Sequence, residues 1–137
     1  MNDTLPQEFW TGVDQFNQGL FYACHDTLEA LWIEAAQPQK TFYQGILQIA
    51  VALYHLGNHN WRGAAILLGE GINRLNSYQP DYGGVDITAL ITKSHQLLMA
   101  LHESGPENIE EFAAQLKLGQ EISDNVALMP RILLVSN

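Results

Sequence analysis

The sequence predicts an all-α fold, a compact bundle of five to six helices built on two antiparallel helical hairpins. Apolar residues recur at helical spacing along nearly all of the 137-residue chain, strand-like alternation is almost absent, and capping or breaking residues fall between the periodic stretches. The length suits one domain, residues 1–137, without a linker. With 47% apolar and 15% charged residues, the chain has material for a core and is not intrinsically disordered.

Thr4 and Gln7 stand at capping-box spacing with Pro6 in the first turn, opening a helix that runs to about Asn17. A second helix runs from about Gly19 to Glu34 and stops before the breaker-rich AAQPQK. Thr41 and Gln44 repeat the capping-box spacing and open a third helix ending at Gly57. Asn60 caps a fourth, reaching about Ser77. The stretch SYQPDYGGV, with Pro80, Gly83 and Gly84, is the longest turn-rich segment. Asp86 caps a fifth helix that ends at Ser104 before Gly105 and Pro106, and Asn108 with Glu111 caps a shorter sixth through about Leu118. The tail 128–137 is apolar without a helical stripe, so Leu128 to Val135 needs cover, either on the bundle or in a homodimer. The helix pairs 4–34 and 41–77 echo one another, with Gly19 and Gly63 each near the start of a second helix. Two ordinary hairpins are the simpler account.

Six Lys and Arg against fifteen Asp and Glu give a formal charge of −9. A nucleic-acid binder needs a basic stripe to displace counterions, and docking on anionic lipid needs the same charge, so both are excluded. The longest apolar stretch, Ile46 to Leu56, is interrupted by Gln48 and His55 and is too short to span a bilayer. MNDTLPQEFW lacks the basic and apolar regions of a signal peptide, and the lone Cys24 suits a reducing compartment, so a cytoplasmic protein is expected. Cys24, on a helix rich in Leu and Ala, reads as a core residue rather than a nucleophile. There is no GxSxG elbow, phosphate-binding glycine loop or paired CxxC.

The candidate chemistry lies on the second and third helices. Phe21, His25, Glu29 and Trp32 share one stripe of the second, beside the apolar face of Leu20, Cys24, Leu28 and Leu31. A buried carboxylate there needs a partner, and His25 is one turn away. On the third helix Gln44, Gln48 and His55 lie on one line that includes Val51, with no charged residue after Lys40. The two polar lines are expected to meet inside the bundle, with Trp32 and Tyr54 as walls. A satisfied polar network, a divalent metal held by His25, Glu29 and His55 with Gln48 nearby, and a small-ligand pocket all fit these residues. The zinc-protease motif is not matched, because position 29 is Glu where a second His is needed. No cofactor is otherwise implied. His59 reads as a solvated loop residue, His95 and His102 as a partly exposed seam, and the loop carrying Tyr82 and Asp86 can close over a pocket.

The runs FNQGLFYACHDTLEALW and FYQGILQIAVALYH, followed by GNHNWRGA, resemble the domain of unknown function 309 family over about residues 13–90. The resemblance implies a multihelical bundle. Its pattern of His, an acidic residue, Glu and Trp falls on His25, Asp26, Glu29 and Trp32, with Asp26 where Glu is usual. Its Gln-Gly, Gln and His fall on Gln44, Gly45, Gln48 and His55, followed by Gly63 and Ala64. It brings no activity. The amide-rich surface, with eleven Gln and nine Asn, favours a binding or scaffold module that meets a protein partner. The alternative is a metal-dependent or ligand-binding enzyme using His25, Glu29, Gln48 and His55.

Overall fold

Each periodic stretch becomes a helix in the computed structural model, which describes residues 4–118 and 129–135. The order is α1 (Gln7–Asn17), α2 (Phe21–Glu34), α3 (Gln39–Gly57), α4 (Trp61–Leu75), α5 (Ile87–Ser104) and α6 (Ile109–Leu118). Short 3-10 turns over Asn76–Tyr78 and Pro106–Asn108 follow α4 and α5. No helix among the described residues is long and apolar enough to cross a membrane.

Asn60 and Asp86 are N-caps as expected: their side chains accept from Gly63 N and Ala89 N, each at 2.9 Å. Neither capping box forms. Pro6 is the N-cap of α1 and makes no side-chain cap bond, so Thr4 lies outside the helix. Pro38 already has helical backbone angles, which starts α3 two residues before Thr41. Thr41 N donates instead to the Gln37 side chain at 3.1 Å.

The turn-rich loop holds a hairpin that the sequence pattern concealed, β1 (Asp81–Tyr82) against β2 (Val85–Asp86). Gly83 and Gly84 both take positive φ, 58° and 92°, as a two-residue turn of this twist requires. Tyr82 closes onto Phe42 at 4.6 Å between ring centroids and onto Tyr78 at 5.0 Å, so this loop covers the aromatic core. The described tail, 129–135, lies extended on the bundle. Asp86 N donates to Leu133 O at 2.8 Å, Val135 N donates to Gly84 O at 3.0 Å, and Ile132 is buried in the core. Residues 128, 136 and 137 of the expected tail lie outside the described residues.

The hairpins repeat in burial more closely than in sequence. In α1 the buried positions are Phe9, Gly12, Val13 and Phe16, and 40 residues on in α3 they include Ile49, Ala52, Leu53 and Leu56. In α2 they are Cys24 and Leu28, matched at the same offset by Ala64 and Leu68 in α4. At this offset Gly19 corresponds to His59, not to Gly63. Helix α3 packs against both α2 and α4. It supplies the centre of the core with Phe42, Ile46, Ile49, Ala50 and Leu53.

Candidate functional site

Because α2 and α4 both cover α3, the strip of α3 between them forms the floor of a surface cleft. The cleft encloses about 230 Å³ and is lined by Glu29 and Trp32 from α2, Gln44, Leu47, Gln48 and Val51 from α3, and Leu67 from α4. Four of the sequence-predicted residues, Glu29, Trp32, Gln44 and Gln48, therefore do converge. They converge at a solvent-open groove rather than inside the bundle. Glu29 keeps 46% of its side chain exposed, so burial does not force a partner on it. Helix α2 turns apolar residues to solvent instead: Tyr22 and Ile33 are exposed, as is its N-cap Leu20. A helix apolar over most of its circumference is not thereby buried.

Of the predicted site residues, Gln48 is the polar one the fold does bury, at 8% exposure. Its Nε2 donates to Glu70 Oε1 of α4 at 3.0 Å. That bond fixes the amide orientation, since a flipped amide would set oxygen against carboxylate. Oε1 of Gln48 is then buried without a hydrogen-bond partner, and so is the indole Nε1–H of Trp32. Leaving such a group unmet costs about 1–3 kcal/mol. Glu70 was not singled out from sequence. It is the sole acidic residue of α4, set between Gly69 and Gly71, and that isolation was the available signal.

The histidines stand beside the cleft rather than in its lining. His25 Nδ1 faces Asp26 Oδ1 at 3.2 Å and its Nε2 lies 4.0 Å from Glu29 Oε2, while Tyr22 stacks on the ring at 5.9 Å. Tyr22 in turn meets Tyr54 at 5.3 Å, so Tyr54 forms a ledge near the histidine and does not wall the cleft. His55 turns toward Asn60, whose amide N–H donates to His55 Nδ1 at 3.3 Å while its oxygen caps α4. Gly63 leaves room for this pair: a Cβ there would stand 2.6 Å from Asn60 Nδ2 and 3.0 Å from His55 Cδ2, so either side chain would have to shift.

Among the described residues, the group with metal-ligand spacing is His25, Asp26 and Glu29, whose ligand atoms lie within 4.8 Å of one another. His55 is not part of it. A carboxylate on Nδ1 orients the ring so that Nε2 is the ligand atom, as in many metal-bound histidines. Cys24 offers no nucleophile: burial pushes its thiol up to about 12.

These features define a class, a small helical-hairpin bundle whose third helix floors a groove between its neighbours. Residues 9–67 match the model of a family described as a domain of unknown function, DUF309. That span takes in α1 to α3 and the first half of α4, somewhat less than the 13–90 of the expected resemblance at its C-terminal side. Over 105 residues the chain is 32% identical to the uncharacterized protein YpuF of Bacillus subtilis strain 168, covering 76% of this chain and 57% of that one. The chain thus spans little more than half the length of that relative. No solved structure matches this chain.

Proposed function

We propose that this chain is a binding module that holds a segment of a partner protein along the α2–α3–α4 groove. One observation carries this: the unmet acceptor of Gln48 and the unmet donor of Trp32 belong to residues lining one open cleft. A polypeptide carries both complements, a donor and an acceptor, in every peptide unit. The size supports it too. Pockets for drug-sized ligands run from about 300 to 1,000 Å³, whereas about 230 Å³ takes one long side chain with its backbone outside. Tyr22, Ile33, Tyr54 and Ile66 are exposed on the same three helices and offer apolar contact to the rest of the segment.

Photo-crosslinking in cells tests it. A benzophenone side chain at Val51, in the cleft, is expected to trap a discrete adduct, while the same group at the exposed Thr92 of α5 traps none. Indistinguishable adduct patterns at the two positions would reject the groove as the binding surface.

A second proposal rests on the His25, Asp26 and Glu29 cluster, a divalent metal on the α2 surface. Elemental analysis of protein purified without a histidine tag decides it. Stoichiometric metal lost on Glu29→Gln supports the site, and metal-free protein ends it.

A further inference from the structure

The charge and hydrogen-bonding groups of the cleft point to its occupant. We infer that it receives a cationic side chain, lysine or arginine, from the partner segment; this rests on the groove being the binding surface. Glu29 stands in the α2 wall, and Glu70 of α4, outside the lining itself, adds a second carboxylate bonded to the lining residue Gln48. No Lys or Arg is in the lining. Lys40 reaches the lining residue Trp32, but its ammonium is already engaged, donating to Trp32 O at 2.7 Å and lying 4.7 Å from the Trp32 ring centroid. The chain as a whole carries −9, so the field around the cleft is negative and an anionic guest is repelled.

The hydrogen-bonding inventory selects further. Gln48 Oε1 is an acceptor that cannot become a donor, because its amide nitrogen is committed to Glu70. Glu29 adds a carboxylate that stands 4.0 Å from His25 Nε2, too far for a hydrogen bond. An ammonium or guanidinium brings several N–H donors to such a set, and hydrogen bonds between charged partners are the strong ones. Leu47, Val51 and Leu67 supply apolar surface for the methylene stem of the same side chain. The indole N–H of Trp32 is the exception, a donor among acceptors. It suits a backbone carbonyl beside the cationic residue. A free polyamine, which has no carbonyl, meets only part of the set.

The test uses the full ¹⁵N-labelled chain and three capped peptides, Ala-Leu-Ala-Xaa-Ala-Leu-Ala, with arginine, norleucine or glutamate at the centre. The readouts are the Trp32 indole N–H resonance, assigned with Trp32→Phe, and the Gln48 side-chain amide. The arginine peptide is expected to shift both, binding roughly tenfold more tightly than the norleucine peptide, as one or two charge-assisted bonds imply. Glu29→Gln and Glu70→Gln should each weaken the arginine peptide severalfold and leave the norleucine peptide unchanged, with circular dichroism confirming that both variants fold. Equal binding of the arginine and norleucine peptides, or preference for glutamate, overturns the cationic guest while leaving the groove as a binding surface. If none of the three moves either resonance, the groove itself fails as a peptide site.

Discussion

Two glycines set how closely α3 and α4 approach, and neither is there for backbone freedom. A Cβ at Gly71 would stand 2.8 Å from the carbonyl oxygen of Gly45 and 2.7 Å from Ile49 Cγ1; one at Gly45 would stand 2.7 Å from Leu75 Cγ. Real carbon atoms do not pack at such distances, and the backbone carbonyl cannot swing aside. Gly71→Ala should therefore separate the helices and cost about 1–3 kcal/mol, as overpacked cores do. Gly69, two residues earlier on α4, has nothing within 4 Å of its Cβ position. Gly69→Ala should stabilise by roughly 0.5–1 kcal/mol through helix propensity alone. Urea denaturation of the two variants gives opposite signs if the crossing is as tight as described, and equal signs reject it. From sequence a mid-helix glycine reads as a weak breaker, because the atom it would strike belongs to another helix. The site was half legible for the same reason. Gln48 could be chosen from its own helix, whereas its partner Glu70 lies 22 residues away on a different one.

At the scale of elements, the same kind of turn joins the two helices within each hairpin. After α1, Gly19 N donates to Phe16 O at 3.0 Å and Leu20 N to Gln15 O at 2.9 Å. After α3, His59 N donates to Leu56 O at 3.1 Å and Asn60 N to His55 O at 2.8 Å. Both are Schellman closures, which place one residue in the left-handed region. Gly19 holds that place in the first with φ 80°, and His59 holds it in the second with φ 63°. A side chain in this conformation costs about 1–2 kcal/mol. Some of that is offset by the greater freedom of glycine when unfolded. His59→Gly should thus raise stability by up to about 1 kcal/mol, and Gly19→Ala should lower it by about the same amount. Gly19 has no atom within 4 Å of its Cβ position, so its loss reports conformation rather than collision. Thermal melts are the check, and a destabilised His59→Gly would show that the imidazole contributes more than its backbone costs. The breaks near residues 18 and 58–60 were legible from Gly19 and Asn60. The shared turn was not, since a histidine carries no sequence signature of the left-handed conformation.

Across the whole molecule, the tail ties the first interhelical turn to the hairpin that precedes α5, two places far apart in sequence. Asn17 acts as the clamp at the first end. Its Nδ2 donates to Ile132 O at 2.9 Å and its Oδ1 accepts from Ile132 N at 2.8 Å, satisfying both backbone groups of one residue with one amide. At the other end Val85 and Leu134 form an antiparallel bridge, which extends the short hairpin by a third extended segment. Between the two, Ile132 enters the core with 2% exposure while Leu133 and Leu134 face outward. The sequence made the need for cover legible through its apolar run, but alternation within that run is too short to say which side chain turns inward. Ile132→Ala should cost about 2–4 kcal/mol as a buried large-to-small change, whereas Leu134→Ala should stay within about 0.5 kcal/mol. Asn17→Ala should fall between them at roughly 1–3 kcal/mol, because both backbone groups of Ile132 lose their partner. Asn17→Asp keeps the acceptor and loses the donor, so it should recover part of that loss. Equilibrium urea unfolding of the four variants gives the order, and an Ile132→Ala protein as stable as Leu134→Ala would show that the tail is not anchored by that side chain.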